Sequence, residues 1–361
     1  MWYNTSAAKI LGVQYPILQG PFGGNLSSVK LTATVSNLGG VGGFGAYTLS
    51  PDEIVSLDKA IRKETDKPYN INLWVSDTDT PTGTVSEADF RKAAALFQPY
   101  FDELGIPLPN KPAPFVSRFE NQVQVILDTR PPIFSFMFGI PSPDILEQCR
   151  QRGIVTIGAA TTLDEAIALE VAGVDCIIAS GFEAGGHRPS FLAASENSLT
   201  GTFVLLQQIK DSVKTPVIAA GGIATGKGIA AAMTLGADAA QVGTAFLACE
   251  ESGALDIHRQ MLFSDKAKYS LLSRAFTGRL GRGLKSRIGE EMKGQEHNIL
   301  PFPLQTQFMS PLRKAAIEQQ KWELVLFWGG QIAPILKHRK ATDLMKALIE
   351  ETTAYFAGWQ S

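Results

Sequence analysis

The stretch "PVIAAGGIATGKGIAAAMTLGADAAQVGT" (216–244) contains the pattern on which the fold prediction depends. A continuous apolar run (216–222) ends in two glycines, and Thr225 then precedes a helical pattern that stops at Gly236. A second apolar run (238–244) follows and also carries a glycine near its end. Continuous rather than alternating apolar runs are typical of strands buried on both faces of a parallel sheet. We therefore interpret the stretch as a strand–helix–strand unit.

The same unit recurs along the whole chain. The apolar runs are 16–20, 40–46, 69–75, 132–139, 153–160, 174–180, 216–222 and 238–244. Helical patterns lie between them, and "SPDE" (50–53) and "TLDE" (162–165) have the composition of helix starts. Strands that alternate with helices in this number predict a (β/α)8 TIM-type barrel with an appended, mostly helical cap. A doubly wound open sheet is the alternative, but the sequence lacks the early G-x-G-x-x-G turn that would favour it.

Two segments interrupt the alternation and set the predicted domain organisation. We expect residues 1–250 and about 330–361 to form the barrel, with a helical insertion at 76–131. Residues 251–329 then form a helical cap over the barrel mouth.

Composition narrows the classes of function. The chain has 361 residues, 45% of them hydrophobic and 19% charged, with a net charge of −2. This balance gives no reason to expect nucleic acid or a membrane as a partner, and the N-terminal residues do not resemble a secretory signal. Three cysteines, Cys149, Cys176 and Cys249, have no metal-binding or redox spacing. We expect a cytoplasmic protein that binds a small molecule and no metal. Its oligomeric state is not predicted.

Glycines cluster where the last two predicted strands end. In a barrel of this type the active site forms at the carboxyl ends of the strands. Backbone N–H groups there, together with a helix N-terminus, bind phosphate without a cation. The residues concerned are Gly221, Gly222, Gln241, Val242, Gly243 and Thr244. The glycines also suit plain tight turns, but two linked sites on the last strands favour a phosphorylated ligand or cofactor.

The sixth predicted strand is followed by "GFEAGGHRPSF" (181–191), which contains the candidate catalytic residue, His187. An imidazole at a strand end can take a proton from a substrate or, when charged, hold an anion. Glu183 is a possible second base, but a carboxylate in a glycine-rich loop more often accepts backbone N–H bonds, and we favour that structural role. Asn72 is polar within an apolar strand, so it requires hydrogen-bond partners.

Three motifs, in this order along the chain, resemble the nitronate monooxygenases, a family of FMN-dependent barrel enzymes. They are "QGPFGG" (19–24), "EAGGH" (183–187) and "GGIATGKGIAAAMTLGADAAQVGTAF" (221–246). The resemblance implies that FMN lies across the barrel mouth, with its phosphate on Gly222 and on residues 241–244. It also implies that Gly185 lies near the phosphate, that Asn72 meets the flavin ring and that the Pro21-Phe22-Gly23 backbone passes over it. Gly221 is a further predicted cofactor-binding residue. Many family members carry Gln-Gly where this chain has Ser180-Gly181. In those members the glutamine is expected to contact the flavin, and here the shorter side chain of Ser180 would make that contact through its hydroxyl.

The resemblance also implies an activity. We expect an FMN-dependent nitronate monooxygenase that oxidises alkyl nitronates, such as propionate 3-nitronate, with O2 to a carbonyl compound and nitrite. The alternatives are an NAD(P)H-dependent FMN reductase acting on a quinone or an enoyl thioester, and a barrel that binds flavin without catalysis. The segment 266–287 contains seven basic residues and no acidic one. It is either a solvated surface or the source of a cation for an anionic substrate.

Overall fold

Eight parallel strands form a barrel at the centre of the molecule, in a computed structural model that describes residues 1–358. In chain order the strands are β1 (Ile17–Gln19), β2 (Gly42–Gly45), β3 (Tyr69–Trp74), β4 (Ile133–Met137), β5 (Val155–Ala160), β6 (Cys176–Ser180), β7 (Gly186–His187), β8 (Val217–Ala220), β9 (Ala239–Val242), β10 (Ser270–Ser273) and β11 (Gly281–Leu284). The barrel order is β1-β9-β8-β6-β5-β4-β3-β2, and a parallel bridge between Leu18 and Val41 joins its two ends. The predicted TIM-type barrel is confirmed.

Helices flank the barrel strands and form much of the cap. They are α1 (Ser6–Leu11), α2 (Val29–Asn37), α3 (Pro51–Glu64), α4 (Glu87–Glu103), α5 (Phe119–Thr129), α6 (Pro143–Gln151), α7 (Leu163–Ala172), α8 (Thr202–Lys210), α9 (Gly226–Thr234), α10 (Thr244–Leu247), α11 (Asp256–Leu262), α12 (Arg287–Glu291), α13 (Leu304–Glu318) and α14 (Ala341–Gly358). The predicted start at "SPDE" is confirmed, because Ser50 and Glu53 form a reciprocal capping box. Within residues 1–358, no helix combines the length and the apolar character needed to cross a membrane.

The apolar residues form separate cores for the barrel and the cap. Inside the barrel, Leu18, Ile157 and Ile218 pack together, and Leu11 of α1 belongs to the same cluster. The cap has its own core, which includes Phe308 of α13. The insertion at 76–131 is divided between the two: Phe97 and Phe101 of α4 pack in the cap core, whereas Val123 and Ile126 of α5 pack against the barrel. The predicted barrel segment, about 330–361, extends beyond the described residues at positions 359–361.

A small antiparallel sheet connects the cap to the barrel mouth. β11 pairs with β10 on one side and with β7 on the other, so that Gly281 lies opposite His187. Sequence patterns did not predict this sheet, because its strands are only two to four residues long. The pairing fixes the position of the loop that carries His187.

The N-terminus of α9 was predicted to help bind a phosphate, but a side chain of another helix already binds there. The Gly226 N–H donates to Glu351 Oε2 of α14 at 2.8 Å, and the Gly228 N–H donates to the N-cap Thr225 at 3.2 Å. A β-carbon on Gly226 would lie 2.3 Å from Glu351 Cβ, so the two helices touch at this glycine. The carboxylate of α14 therefore already occupies the place at this helix end that an anion would take.

Replacing Glu351 with Ala should lower the free energy of unfolding by about 1 kcal/mol, because the Gly226 N–H loses its acceptor and the helix end loses its negative charge. Denaturant unfolding followed by circular dichroism measures the effect. The matched control is Glu350→Ala, one residue earlier in α14, where the side chain makes only an exposed contact of 3.9 Å with Lys346. Equal stabilities of the two variants would contradict the capping role.

Candidate active site

The loop between β6 and β7 is held by the carboxylate of Glu183. Both Glu183 oxygens accept from the Thr202 N–H, at 2.8 and 3.1 Å, and Oε2 also accepts from the Thr202 hydroxyl at 2.8 Å. Thr202 is the first residue of α8, so the negative charge lies at a helix N-terminus, where it is stabilised. The structural role that the sequence favoured for Glu183 agrees with these contacts.

Arg188 also holds this loop in place. Sequence patterns did not predict this role. Its side chain is almost completely buried, and its guanidinium donates to the carbonyl oxygens of Ser180, Gly181 and Ser198. Burial lowers the pKa of Arg188 to about 10, and the carboxylate of Glu165 acts in the opposite direction. At neutral pH the guanidinium stays charged and ties the end of β6 to the loop beyond His187.

His187 lies among four aromatic rings, which we call the aromatic cage. The cage consists of Trp74, Phe138, Phe302 and Trp328, with ring centroids at 5.1, 6.4, 6.2 and 4.8 Å from the imidazole. Trp74 and Phe138 come from the barrel, whereas Phe302 and Trp328 come from the segment predicted as the cap. Phe138 has a φ of +60°, which a bulky residue adopts only under constraint from its surroundings. The catalytic candidate is therefore enclosed by apolar surface from both parts of the molecule.

The hydrogen bonds of Thr277 define the tautomer of His187. Thr277 Oγ1 lies 2.9 Å from His187 Nε2 and 3.1 Å from the carbonyl oxygen of Arg279. A carbonyl only accepts, so both hydrogen bonds form together only when the hydroxyl donates to Arg279 and accepts from Nε2. In this network Nε2 carries the hydrogen, and Nδ1 is the nitrogen with a lone pair for a substrate proton.

Burial and a neighbouring charge keep His187 neutral. Burial is the larger cause and the positive charge of Arg279 the smaller, and together they lower the pKa of His187 to about 3. Both effects disfavour the imidazolium. Of the two roles that the sequence left open, holding an anion as a cation is disfavoured in the free protein. A neutral imidazole that accepts a proton is compatible with this environment.

Arg279 lies beside the cage and forms an ion pair with the insertion. Its guanidinium stands 4.0 Å from the ring centroid of Phe138 and 4.5 Å from that of Phe302. Nε and Nη2 donate to the same oxygen of Asp79 at 2.9 and 2.6 Å, and Nη1 donates to the Ser76 carbonyl at 3.0 Å. Of the basic residues in 266–287, this is the one whose charge acts on His187.

Polar side chains with unused acceptors lie in the carboxyl-terminal halves of barrel strands β3 and β9. Asn72 donates to Ser135 Oγ at 2.9 Å, but its carbonyl oxygen is buried and has no hydrogen-bond partner. Gln241 Oε1 is likewise buried and has no hydrogen-bond partner. The Ser180 hydroxyl also forms no hydrogen bond with the described residues. Buried acceptors of this kind are rare in folded proteins unless a ligand or water satisfies them.

The glycines at the ends of β8 and β9 present unpaired backbone donors. Gly221 and Gly222 have φ of +100° and +71°, which only glycine adopts readily. The N–H groups of Gly222, Gly243 and Thr244 have no acceptor within residues 1–358. Val242 differs from these neighbours, because its side chain is fully buried and its carbonyl accepts from Gly20 at 3.0 Å.

Two further predicted segments approach this part of the mouth. A β-carbon on Gly243 would lie 3.9 Å from the Phe22 ring, and one on Gly45 would lie 2.7 Å from the backbone between Phe22 and Gly23. A β-carbon on Gly23 would collide with the ring of Tyr47, which stacks on Trp74 at 3.7 Å. The Pro21-Phe22-Gly23 backbone thus runs from the glycine end of β9 towards the aromatic cage.

Gly185 lies in close contact with the backbone of Gly329 and Gly330. A β-carbon there would lie 2.5 Å from the Gly330 nitrogen, and the Gly330 N–H donates to Thr244 Oγ1 at 2.9 Å. The loop "WGGQ" (328–331) therefore holds Gly185 and Thr244 together and supplies Trp328 to the cage. The repeated glycine in this loop was the sequence signal available for Trp328, whereas Phe302 and Arg188 had none. Among residues 1–358, no cluster of His, Cys, Asp and Glu is placed to hold a metal ion.

Proteins of one known family are similar to this chain over almost its whole length. The model of the family described as nitronate monooxygenase matches residues 4–351. A protein of Staphylococcus haemolyticus named probable nitronate monooxygenase is 37% identical over 97% of this chain and 98% of its own.

Solved structures give the same result at the level of the fold. A nitroalkane oxidase from Streptomyces ansochromogenes superposes with a TM-score of 0.89 and 31% identity, covering 98% of this chain and 100% of its own. FabK from Thermotoga maritima superposes with a TM-score of 0.76 and 25% identity, covering 99% of this chain and 98% of its own. The match of the family model over nearly the whole chain is decisive: this chain is an oxidoreductase of the nitronate monooxygenase family.

Proposed function

We propose that the protein binds FMN across the barrel mouth and oxidises alkyl nitronates with O2 to a carbonyl compound and nitrite. The observation that carries this proposal is the position of His187, a neutral histidine in an aromatic cage beside a mouth lined by unpaired polar atoms. Membership of the family and the similarity to a nitroalkane oxidase support the same reaction.

The polar groups at the mouth fit FMN. The unpaired N–H groups of Gly222, Gly243 and Thr244 suit the phosphate, since backbone donors bind phosphate without a cation. The buried oxygens of Asn72 and Gln241 suit the hydrogen-bond donors of FMN, which are the N3–H of the flavin ring and the ribityl hydroxyls. The chemistry supplied by bound FMN is the transfer of electrons between the nitronate and O2. The other residues assigned here to the cofactor are Pro21, Phe22, Gly23, Ser180, Gly185, Gly221 and Val242.

The residues of the protein position the substrate and handle its proton. The aromatic cage excludes water and packs against the alkyl tail of the nitronate. When a neutral nitroalkane binds instead, its α-carbon loses a proton to Nδ1 of His187, which leaves a nitronate and an imidazolium. The new negative charge then stabilises the imidazolium that Arg279 disfavours in the free protein.

The purified protein should be yellow, release FMN on denaturation, and produce nitrite from butane-1-nitronate while it consumes O2. Absorption spectroscopy, a nitrite assay and an oxygen electrode measure the three properties. The reductase alternative has one argument in its favour, the similarity to FabK over the whole chain. Mixing the protein anaerobically with NADH or NADPH tests it: rapid bleaching of the flavin, with no nitrite from the nitronate, would overturn the proposal.

His187→Gln should lower kcat/KM for neutral nitroalkanes by about 100-fold or more, the usual contribution of a general base. For preformed nitronates, which need no deprotonation, the loss should stay below about tenfold. Nitrite release from 1-nitrobutane and from its nitronate measures both values, and retention of the flavin spectrum shows that the fold persists. His297→Gln, at a cap position away from the cage, is the control. Equal losses on the two substrates would contradict the base role.

The pH profile should lack the ionisation of an ordinary histidine. The pKa of His187 is lowered to about 3, so the ring is neutral at every pH well above that value. We expect kcat/KM for a preformed nitronate to stay level from about pH 5.5 to about pH 8, across the usual histidine pKa. Steady-state rates at constant ionic strength give the profile. An inflection near pH 6.5 that His187→Gln abolishes would contradict the assigned environment.

A further inference from the structure

The aromatic cage has one cation beside it, and that cation already forms an ion pair with Asp79. Arg279 stands over Trp74, Phe138 and Phe302, and its fractional side-chain exposure is 7%. Two of its nitrogens donate to Asp79 Oδ1, while contacts to the Ser76 carbonyl and hydroxyl use further N–H groups. Little of its hydrogen-bonding capacity is left for a ligand.

The other basic side chains of 266–287 do not replace Arg279 at the cage. Most of them bind acidic partners or backbone elsewhere: Lys268 with Asp265, Arg274 with Glu196, Arg282 with the Phe182 carbonyl, Lys285 with Glu290, and Arg287 with Glu103. Lys266 lines a separate surface cavity, together with Tyr269 and Trp322. Within the described residues, Arg279 is the one cation that lies over the cage rings.

We propose that Asp79 determines substrate specificity: by engaging Arg279, it selects nitronates with an uncharged apolar tail and discriminates against tails that carry a carboxylate. The inference rests on the proposed function and deepens it. A carboxylate tail in the cage would lose its hydration among aromatic rings and would compete with Asp79 for the same N–H groups. An alkyl tail gains from the same burial and leaves the ion pair intact.

The side chain of Asp79 can be replaced without removing the contacts that hold its backbone in place. It lies in the insertion after β3, and its fractional side-chain exposure is 32%. Its backbone N–H donates to the Phe302 carbonyl at 2.9 Å, a bond that a change of side chain does not remove. Asp79→Asn removes the charge and keeps the shape, whereas Asp79→Ala also removes the acceptor.

The test compares kcat/KM for butane-1-nitronate and propionate 3-nitronate, two nitronates of similar length that differ in the carboxylate. The wild-type protein should prefer the first. Both Asp79 variants should shift the ratio towards propionate 3-nitronate by about tenfold or more, equivalent to about 1.4 kcal/mol. Glu103→Gln is the matched control, because it neutralises the partner of Arg287, a cap arginine that lies over the ring of Tyr100 rather than over the cage rings, and should leave the ratio unchanged.

A binding measurement separates failure of this inference from failure of the proposed function. Quenching of tryptophan fluorescence under anaerobic conditions gives the affinities for 1-nitropropane and 3-nitropropionate, since Trp74 and Trp328 belong to the cage. A shift of the affinity ratio in the Asp79 variants, with no nitrite from either nitronate, would support the specificity role and refute the oxidation. Wild-type preference for propionate 3-nitronate, or ratios unchanged in both Asp79 variants, would overturn the inference.

Discussion

The site depends most on the hydrogen bonds that the buried guanidinium of Arg188 donates to the backbone of the catalytic loop. Arg188 has the largest side chain among those fully buried, and it donates to Ser180 and Gly181, where β6 ends and the catalytic loop begins. A buried charge is tolerated only when hydrogen bonds and opposite charges compensate it. Here backbone carbonyls accept from Nη1 and Nη2, and the carboxylate of Glu165 supplies the opposite charge, while Nε has no partner within residues 1–358. Because Arg188 follows His187 directly, the same bonds hold the backbone that carries the imidazole, and Thr277 bonds to the ring itself.

Around that loop, the protein combines an apolar cage with a closely balanced set of charges. Burial and the charge of Arg279 keep His187 neutral. Asp79 already forms an ion pair with Arg279, so Arg279 gains little from binding a second anion. Such a site disfavours a second negative charge on the tail of the substrate, whereas it accommodates the nitronate–imidazolium pair that forms when a neutral nitroalkane loses its proton. The reactivity and the selectivity proposed here therefore have one physical origin, the desolvation of charged groups inside the cage.

The sequence predicted the features that local pattern encodes. Continuous apolar runs that alternate with helical patterns predicted the eight barrel strands, and "SPDE" predicted the start of α3 with its capping box. Contacts between distant residues escaped prediction: Glu351 closes the end of α9 from 125 residues away, and Phe302 and Trp328 reach His187 from the cap. Aromatic and acidic residues at such positions have no local signature, because their roles arise only when separate segments pack together. Arg188 escaped notice for a related reason, since an arginine beside a loop usually points into solvent.

The central claim is that the polar atoms left unpaired at the barrel mouth hold FMN next to His187. A crystal structure of the purified protein with FMN tests it most directly. We expect the phosphate to accept from the N–H groups of Gly222, Gly243 and Thr244, with the flavin ring between Asn72 and Gln241 on one side and the aromatic cage on the other. A phosphate bound elsewhere, with these donors and acceptors still unpaired or satisfied only by water, would contradict the account.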